Sequence, residues 1–169
     1  MSVHRLNHAV LYVRDVDRSV AFYQEALGFR VVMSFPGAAF LQAPASHNDH
    51  DLGLFQIGAQ AGPSQAGQAT VGLYHLAWEV ETLDDLQHTA DKLTELGALV
   101  GASDHSTTKA LYAKDPDGLE FEVSWLVPAS HLTEDTIAAR AHIRPLDIAK
   151  EKTRYGALTR GGTGISIPG

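Results

Sequence analysis

The sequence contains no cysteine in its 169 residues. Disulfide bonds and thiolate metal sites are therefore excluded, which leaves histidine and carboxylate side chains as metal ligands. Positive charge is also scarce, since 13 Lys and Arg face 20 Asp and Glu. The resulting net charge of −7, with no basic stretch, argues against a nucleic acid or an anionic membrane as partner. The sequence shows no run of membrane-spanning length and no secretory signal, so we expect a cytoplasmic protein with no membrane partner.

Two segments of the chain repeat one pattern. Each begins with a short apolar run that has a histidine in third place, LNHAVLYV at residues 6–13 and LYHLAWEV at residues 73–80. The β-branched and aromatic residues in both runs predict strands that contain His8 and His75. Because the two histidines hold equivalent places, each copy forms half of one ordinary domain.

A helical period follows each of these runs. In the first copy, Asp15 is suited to cap a helix and Gly28 to end it. In the second, Thr82 with Asp85 resembles a capping box, and Gly97 ends the apolar stripe.

Further apolar runs predict three strands after each helix. They lie at residues 29–35, 38–42 and 51–57 in the first copy, and at 98–102, 109–114 and 119–126 in the second. The turn Asp115-Pro116-Asp117-Gly118 joins the last two. The prediction is an α+β fold of two βαβββ modules, whose strands form an eight-stranded, incompletely closed barrel with the helices outside.

The modules occupy residues 1–57 and 71–127 of one structural domain, and residues 58–70 resemble a flexible linker. A C-terminal extension, residues 128–169, is expected to be partly flexible. It can form a short helix at residues 133–142. We expect a loose end from residue 148, because residues 150–154 are charged and Gly161-Gly162-Thr163-Gly164 disfavours regular structure.

The last strand of the second module carries a third candidate ligand. Alternation places Glu120, Glu122 and Ser124 on one face, and two neighbouring acids there need a cation or water. Two histidines and one carboxylate leave other metal positions open, as in non-haem Fe(II) oxygenases, whereas structural zinc closes all four. His8, His75 and Glu122 are therefore predicted to bind one metal ion.

Residues 6–125 resemble the vicinal oxygen chelate superfamily and, within it, the extradiol ring-cleaving dioxygenases. The most specific segment is SDHSTTKALYAKDPDGLEFEV at residues 103–123. It resembles the extradiol signature of a histidine, a hydrophobic-Tyr pair, a D-P-x-G turn and a glutamate four residues after the glycine. Here these are His105, Leu111-Tyr112, residues 115–118 and Glu122. The segment HDLGLFQ, which begins at His50, is similar to the one that carries an active-site histidine in these enzymes.

The resemblance implies a reaction and a role for each residue. His8, His75 and Glu122 would bind Fe(II), or alternatively Mn(II), and His50 would be the acid-base group. His105 and Tyr112 would contact an aromatic diol, whose ring is cleaved with insertion of both atoms of O2. The resemblance also implies a homodimer or a higher homo-oligomer.

Three alternatives within the superfamily remain open. A lyase or isomerase resembling glyoxalase I would take a fourth ligand from the last strand of the first module, where Gln56 is the only polar candidate. A fosfomycin-resistance thiol transferase shares the three ligands and would need Lys, Arg and Ser near a phosphonate, for which Lys109 and Lys114 are available. A drug-binding protein resembling the bleomycin-binding members would need no metal.

Overall fold

The computed structural model describes residues 2–66, 69–162 and 166. Close contacts divide the chain into unit 1, Met1–Ser64 with Asp115–Gly118, and unit 2, Gln65–Lys114 with Leu119–Gly169. Gly67 of the predicted linker lies outside the described residues, as do Thr163 and Gly164 of the glycine-rich run near the C-terminus.

Unit 1 contains one predicted module. Its elements are β1 (Ala9–Val13), α1 (Val16–Leu27), β2 (Arg30–Phe35), β3 (Ala38–Gln42) and β4 (Leu52–Gln56). The strand order is β1-β4-β3-β2, with β1 and β4 parallel and the other pairs antiparallel. The Asp15 side chain accepts a hydrogen bond from the Arg18 amide at the start of α1, and Gly28 ends it at φ 70°. Both predicted caps are confirmed.

Unit 2 repeats this order. Its elements are β5 (Leu76–Glu79), α2 (Leu83–Glu95), β6 (Leu99–Asp104), β7 (Thr108–Lys114) and β8 (Glu120–Leu126). The strand order is β5-β8-β7-β6, with β5 and β8 parallel. Thr82 and Asp85 form the expected capping box. The α+β class and the two βαβββ modules are thus confirmed, and neither sheet closes on itself.

The sequence predicted that His8 and His75 lie inside strands, and this prediction is wrong. Strand β1 begins at Ala9, because its parallel partner β4 begins at the paired residue Leu52. Strand β5 likewise begins at Leu76, which pairs with Phe121 near the start of β8. His8 and His75 each lie immediately before a strand, where the backbone is less constrained by the ladder.

The C-terminal extension is more ordered than predicted. It contains α3 (Glu134–Ala138), a two-residue strand β9 (Arg144–Pro145) beside β6, and α4 (Ile148–Tyr155). The prediction of a loose end from residue 148 is wrong for α4. Glu151 and Tyr155, four residues apart, are buried on one side of this helix, and Lys152 pairs with Asp84 of unit 2 at 2.7 Å.

The chain after α4 packs within unit 2, against the residue Glu81 just before α2 and against β8. The Gly161 amide donates to the Glu81 carbonyl at 2.8 Å. The Trp125 indole donates to the carbonyls of Glu81 and Thr159, each at 3.2 Å. A Cβ on Gly161 would lie 1.9 Å from the Leu126 carbonyl oxygen, so this packing requires glycine. Among the described residues, no helix is both long and apolar enough to cross a membrane.

Candidate functional site

The sheet of unit 2 has one buried face and one open face, as alternation along β8 predicted. Phe121, Val123 and Trp125 are at most 2% exposed on the buried face. Glu122 lies on the open face and pairs in register with Ala77 of β5 on one side and Tyr112 of β7 on the other. The carboxylate is therefore held on a rigid strand in the middle of the sheet.

His75 brings a second donor to this face. Its Nε2 lies 3.5 Å from Glu122 Oε2, and the two side chains are 27% and 15% exposed. Its Nδ1 is buried and has no hydrogen-bond partner among the described residues. Tyr74, the preceding residue, is hydrogen bonded to Glu120, which raises the pKa of the Tyr74 hydroxyl.

This pair fits a divalent metal ion. Two donors that each bind one ion at about 2.1 Å lie roughly 3.0 to 3.5 Å apart in octahedral or tetrahedral geometry. The distance between His75 Nε2 and Glu122 Oε2 agrees with this separation. The unpartnered Nδ1 lies on the other side of the ring, and an ion bound at Nε2 would leave it to water or to another acceptor.

His105 and Tyr112 form a second polar group on the open face of unit 2. His105 Nε2 and Tyr112 Oη share a hydrogen bond at 3.0 Å. Ser103 Oγ lies 3.0 Å from the same nitrogen and donates to Tyr112 Oη at 3.4 Å. The sequence analysis did not assign Ser103 to the site, although its position two residues before His105 puts it on the same side of β6. Tyr112 is the cross-strand neighbour of Glu122, so this polar group lies beside the carboxylate on the same sheet face.

Unit 1 brings together the other two predicted histidines. The His8 and His50 rings lie 4.5 Å apart between centroids. His8 Nδ1 is 2.7 Å from Asn7 Oδ1, and His50 Nδ1 is 2.8 Å from Asp49 Oδ2. These oxygens can only accept, so the contacts favour the tautomer with the proton on Nδ1, in which the lone pair lies on Nε2. That nitrogen is available to bind a metal ion or to take up a proton.

An apolar face begins beside His50. The Phe40 ring makes an edge contact with His50 at 5.0 Å and with Phe55 at 5.8 Å. Several apolar side chains of this face are exposed, with Tyr12 at 71% and Met33 at 53%. We call it the aromatic face; it consists of Val10, Tyr12, Met33, Phe35, Phe40 and Phe55.

The repeat also reveals where the two modules differ. Glu122 pairs with Ala77, two residues after His75, and in unit 1 the equivalent residue Val10 pairs with Gly53. Unit 1 therefore has glycine where unit 2 has the carboxylate. Gln56, the polar candidate on β4, accepts a hydrogen bond from the Val16 amide at the start of α1.

The described residues include no group of three or more His, Asp or Glu that could hold a metal ion. The combination of His8 with His75 and Glu122 stays a prediction. The same applies to the roles predicted for His50, His105 and Tyr112.

Similarity to known proteins extends over most of both modules. The catechol-2,3-dioxygenase of Bacillus subtilis is 30% identical over 72% of this chain and 42% of its own length. Biphenyl-2,3-diol 1,2-dioxygenase 3 of Rhodococcus globerulus is 34% identical over 68% of this chain and 59% of its own length. The matched part of this chain thus spans less than two thirds of either dioxygenase.

Other relatives have different names at slightly lower identity. A probable lactoylglutathione lyase of Synechocystis sp. is 27% identical over 70% of this chain and 92% of its own. Metallothiol transferase FosB of Lysinibacillus sphaericus is 25% identical over 72% and 82%. A glyoxylase/bleomycin resistance protein/dioxygenase domain from Frankia sp. shares the fold, with a TM-score of 0.62 at 22% identity over 77% of this chain and 97% of that one.

A family model for the Glyoxalase/Bleomycin resistance protein/Dioxygenase superfamily matches residues 5–123, which include every predicted site residue. The chain belongs to this superfamily, the vicinal oxygen chelate superfamily.

Proposed function

We propose that this protein is a non-haem Fe(II)-dependent extradiol dioxygenase that cleaves an aromatic diol. The observation that carries the proposal is the 3.0 Å hydrogen bond between His105 and Tyr112, on the sheet face where Tyr112 neighbours Glu122. These two residues distinguish the extradiol signature from the turn shared across the superfamily. His8, His75 and Glu122 would hold the iron, which supplies binding of the diol oxygens and redox activation of O2 when bound.

The protein's own side chains would manage the protons and the charge on the diol. With Nδ1 hydrogen bonded to Asp49, His50 would use Nε2 to take a proton from the substrate and return it. Tyr112, with its hydroxyl fixed by His105 and Ser103, would donate a hydrogen bond to a diol oxygen as negative charge develops there.

The aromatic face supports an aromatic substrate. Phe40 contacts the His50 ring directly, so a ring bound beside His50 would lie against apolar side chains. Aromatic pairs prefer such edge-to-face or offset arrangements. A phosphonate substrate would instead require cationic side chains.

One observation weighs against the thiol transferase and one against the lyase, while Lys114, the other candidate cation, is exposed. Lys109, a candidate cation for a thiol transferase, is fully buried and paired with Asp104 and Glu151, so it is not available to a phosphonate. The lyase reading needs a fourth ligand on β4, where Gly53 occupies the position equivalent to Glu122 and Gln56 binds the start of α1.

The test is anaerobic reconstitution with Fe(II), followed by oxygen uptake and absorbance scans with a panel of catechols that includes 2,3-dihydroxybiphenyl. We expect a yellow ring-opened product and one O2 consumed for each diol. His50→Phe should keep the metal and lose roughly 10²- to 10⁴-fold in turnover. Bound iron without oxygen uptake for any diol would refute the proposed reaction.

Metal content tests the ligands separately from turnover. His75→Ala and Glu122→Ala should each abolish retention of one iron per chain through gel filtration. The matched control is His142→Ala, because His142 is exposed and remote in sequence from every site residue. Retention of iron by either ligand variant would show that the site is wrongly assigned.

A further inference from the structure

A buried ion cluster lies on the other face of β7 from Tyr112. Lys109 is fully buried, and its Nζ lies 2.5 Å from Asp104 Oδ1 and 2.9 Å from Glu151 Oε2. The two carboxylates are themselves only 14% and 5% exposed. A buried lysine is tolerated because these carboxylates compensate its charge. We refer to Asp104, Lys109 and Glu151 as the ion cluster.

Asp104 connects the ion cluster to the turn that carries His105. Besides Lys109, Asp104 Oδ1 accepts a hydrogen bond from the Ser106 amide at 2.7 Å. Ser106 has φ 67° and is the single non-glycine residue with positive φ in the described part of the chain. Because this conformation is disfavoured for residues with a Cβ, the turn depends on contacts that hold it. The Asp104 carboxylate is one such contact, and Ser106 directly follows His105.

Glu151 connects the ion cluster to the C-terminal helix. It lies on α4, outside the residues 5–123 that match the family model. Tyr155, one turn further, packs its ring 5.5 Å from Trp125 and 5.6 Å from Lys109 Nζ. Helix α4 thus covers Lys109, and its displacement would admit water to the pair of Lys109 and Asp104.

We propose that Glu151 is a positioning residue: through Lys109 and Asp104, helix α4 holds the Ser106 turn and thereby sets the orientation of His105 toward Tyr112. Water weakens charge-assisted hydrogen bonds that are strong when buried. Loss of the Glu151 charge therefore loosens α4, hydrates the ion cluster and releases the turn. The catalytic consequence rests on the proposed function, whereas the coupling between α4 and the turn does not.

The first test measures the turn directly, by amide hydrogen exchange of Ser106 in the full chain. Glu151→Gln removes the charge with little change of shape, and we expect Ser106 to exchange about tenfold to a hundredfold faster. Glu151→Asp keeps the charge, so its Ser106 exchange rate should lie between those of the wild type and Glu151→Gln. This variant serves the test if the glutamine variant does not fold. The matched control is Lys152→Met on the same helix as Glu151; it breaks the more exposed pair between Lys152 and Asp84 of α2 and should leave Ser106 exchange unchanged.

Two exchange results would overturn the coupling. One is faster exchange of the α4 amides in Glu151→Gln with no change at Ser106. The other is equal acceleration at Ser106 in Lys152→Met and Glu151→Gln, which would mean that any loosening of the helix has the same effect.

The second test asks whether the coupling reaches His105 in turnover. Glu151→Gln should lower kcat for a catechol roughly threefold to thirtyfold, less than complete loss of a proton-transfer group, with KM nearly unchanged. In a His105→Gln background, the same substitution should change kcat less than about twofold, because residues that act through one another are not additive. Additive effects would overturn the positioning role. If the wild type turns over no diol but Ser106 exchange responds as expected, the proposed function fails and the coupling stands.

Discussion

Replacement of Lys109 by Met should strongly destabilise the protein. Methionine retains most of the aliphatic stem but removes the charge, which leaves Asp104 and Glu151 buried and facing each other without a cation. Loss of one partner from a buried ion pair costs about 3 to 5 kcal/mol of unfolding free energy. That is a large part of the roughly 5 to 15 kcal/mol typical of a folded protein, and corresponds to a fall in Tm of roughly 6 to 20 °C at this chain length.

The unfolding free energy lost in Lys109→Met should become smaller as the pH falls. Burial alone would raise the pKa of Asp104, but the hydrogen bonds from Lys109 and the Ser106 amide, with the charges of Lys109 and Arg144, hold that pKa below its usual value. Asp104 therefore stabilises the wild type above about pH 4, and this contribution is lost as the pH falls through the lowered pKa. Without Lys109, burial dominates and raises the pKa of Asp104. The variant should then gain stability relative to the wild type as the pH falls from about 7 toward 4.

The assay is urea unfolding followed by tryptophan fluorescence. Both tryptophans of the chain, Trp78 and Trp125, belong to unit 2, so the signal reports the unit that contains Lys109. Lys114→Met is the matched control, because Lys114 is exposed on the same strand. Its unfolding free energy should stay within about 0.5 kcal/mol of the wild type. A Lys109→Met loss below about 1 kcal/mol, or a loss that does not change with pH, would refute the electrostatic account.

Two further substitutions test the packing of each unit by urea or thermal unfolding. Gly161→Ala should cost about 1 to 3 kcal/mol, because its Cβ would lie 1.9 Å from the Leu126 carbonyl oxygen. Gly62→Ala, which has nothing within 4 Å of the added Cβ, should be neutral, and equal losses would contradict the packing argument. Asp117→Ala should cost about 1.5 to 3 kcal/mol, because the 6% exposed carboxylate binds both the amide and the guanidinium of Arg14. A loss below about 0.5 kcal/mol would show that this ion pair behaves as an ordinary surface contact.

Local sequence signals predicted most of the two modules. The caps at Asp15 and Thr82 act within three residues, and the alternation along β8 depends only on the strand period. The sequence predicted starts for β1 and β5 that are too early, because the hydrogen-bonded pairing of a strand ends where the neighbouring strand ends. Ala9 is the first residue of β1 because Leu52 is the first residue of β4, and no pattern within residues 6–13 carries that information.

The features that the sequence analysis missed depend on contacts between distant residues. Charge in the run 150–154 suggested a loose end, but Glu151 finds its partner on β7, a strand far away in sequence. Asp117 was predicted only as a turn former, yet it pairs with Arg14 and Arg18 at the start of unit 1. In each case the opposite charge lies far away in sequence, so a local pattern could not reveal the pair.

The two modules share one scaffold but present two different chemical surfaces. Both modules place a histidine directly before their first strand and pair that strand with the last strand in the same register. The backbone is therefore shared, and the difference lies in single side chains, with Gly53 in unit 1 at the position of Glu122 in unit 2. Glycine there leaves room beside Phe40 and Val10, which keeps the aromatic face of unit 1 open, while the glutamate gives unit 2 its carboxylate. A repeat predicted from sequence thus gives the scaffold twice, and single positions where its two copies differ, such as Gly53 and Glu122, leave one module with an apolar face and give the other a carboxylate.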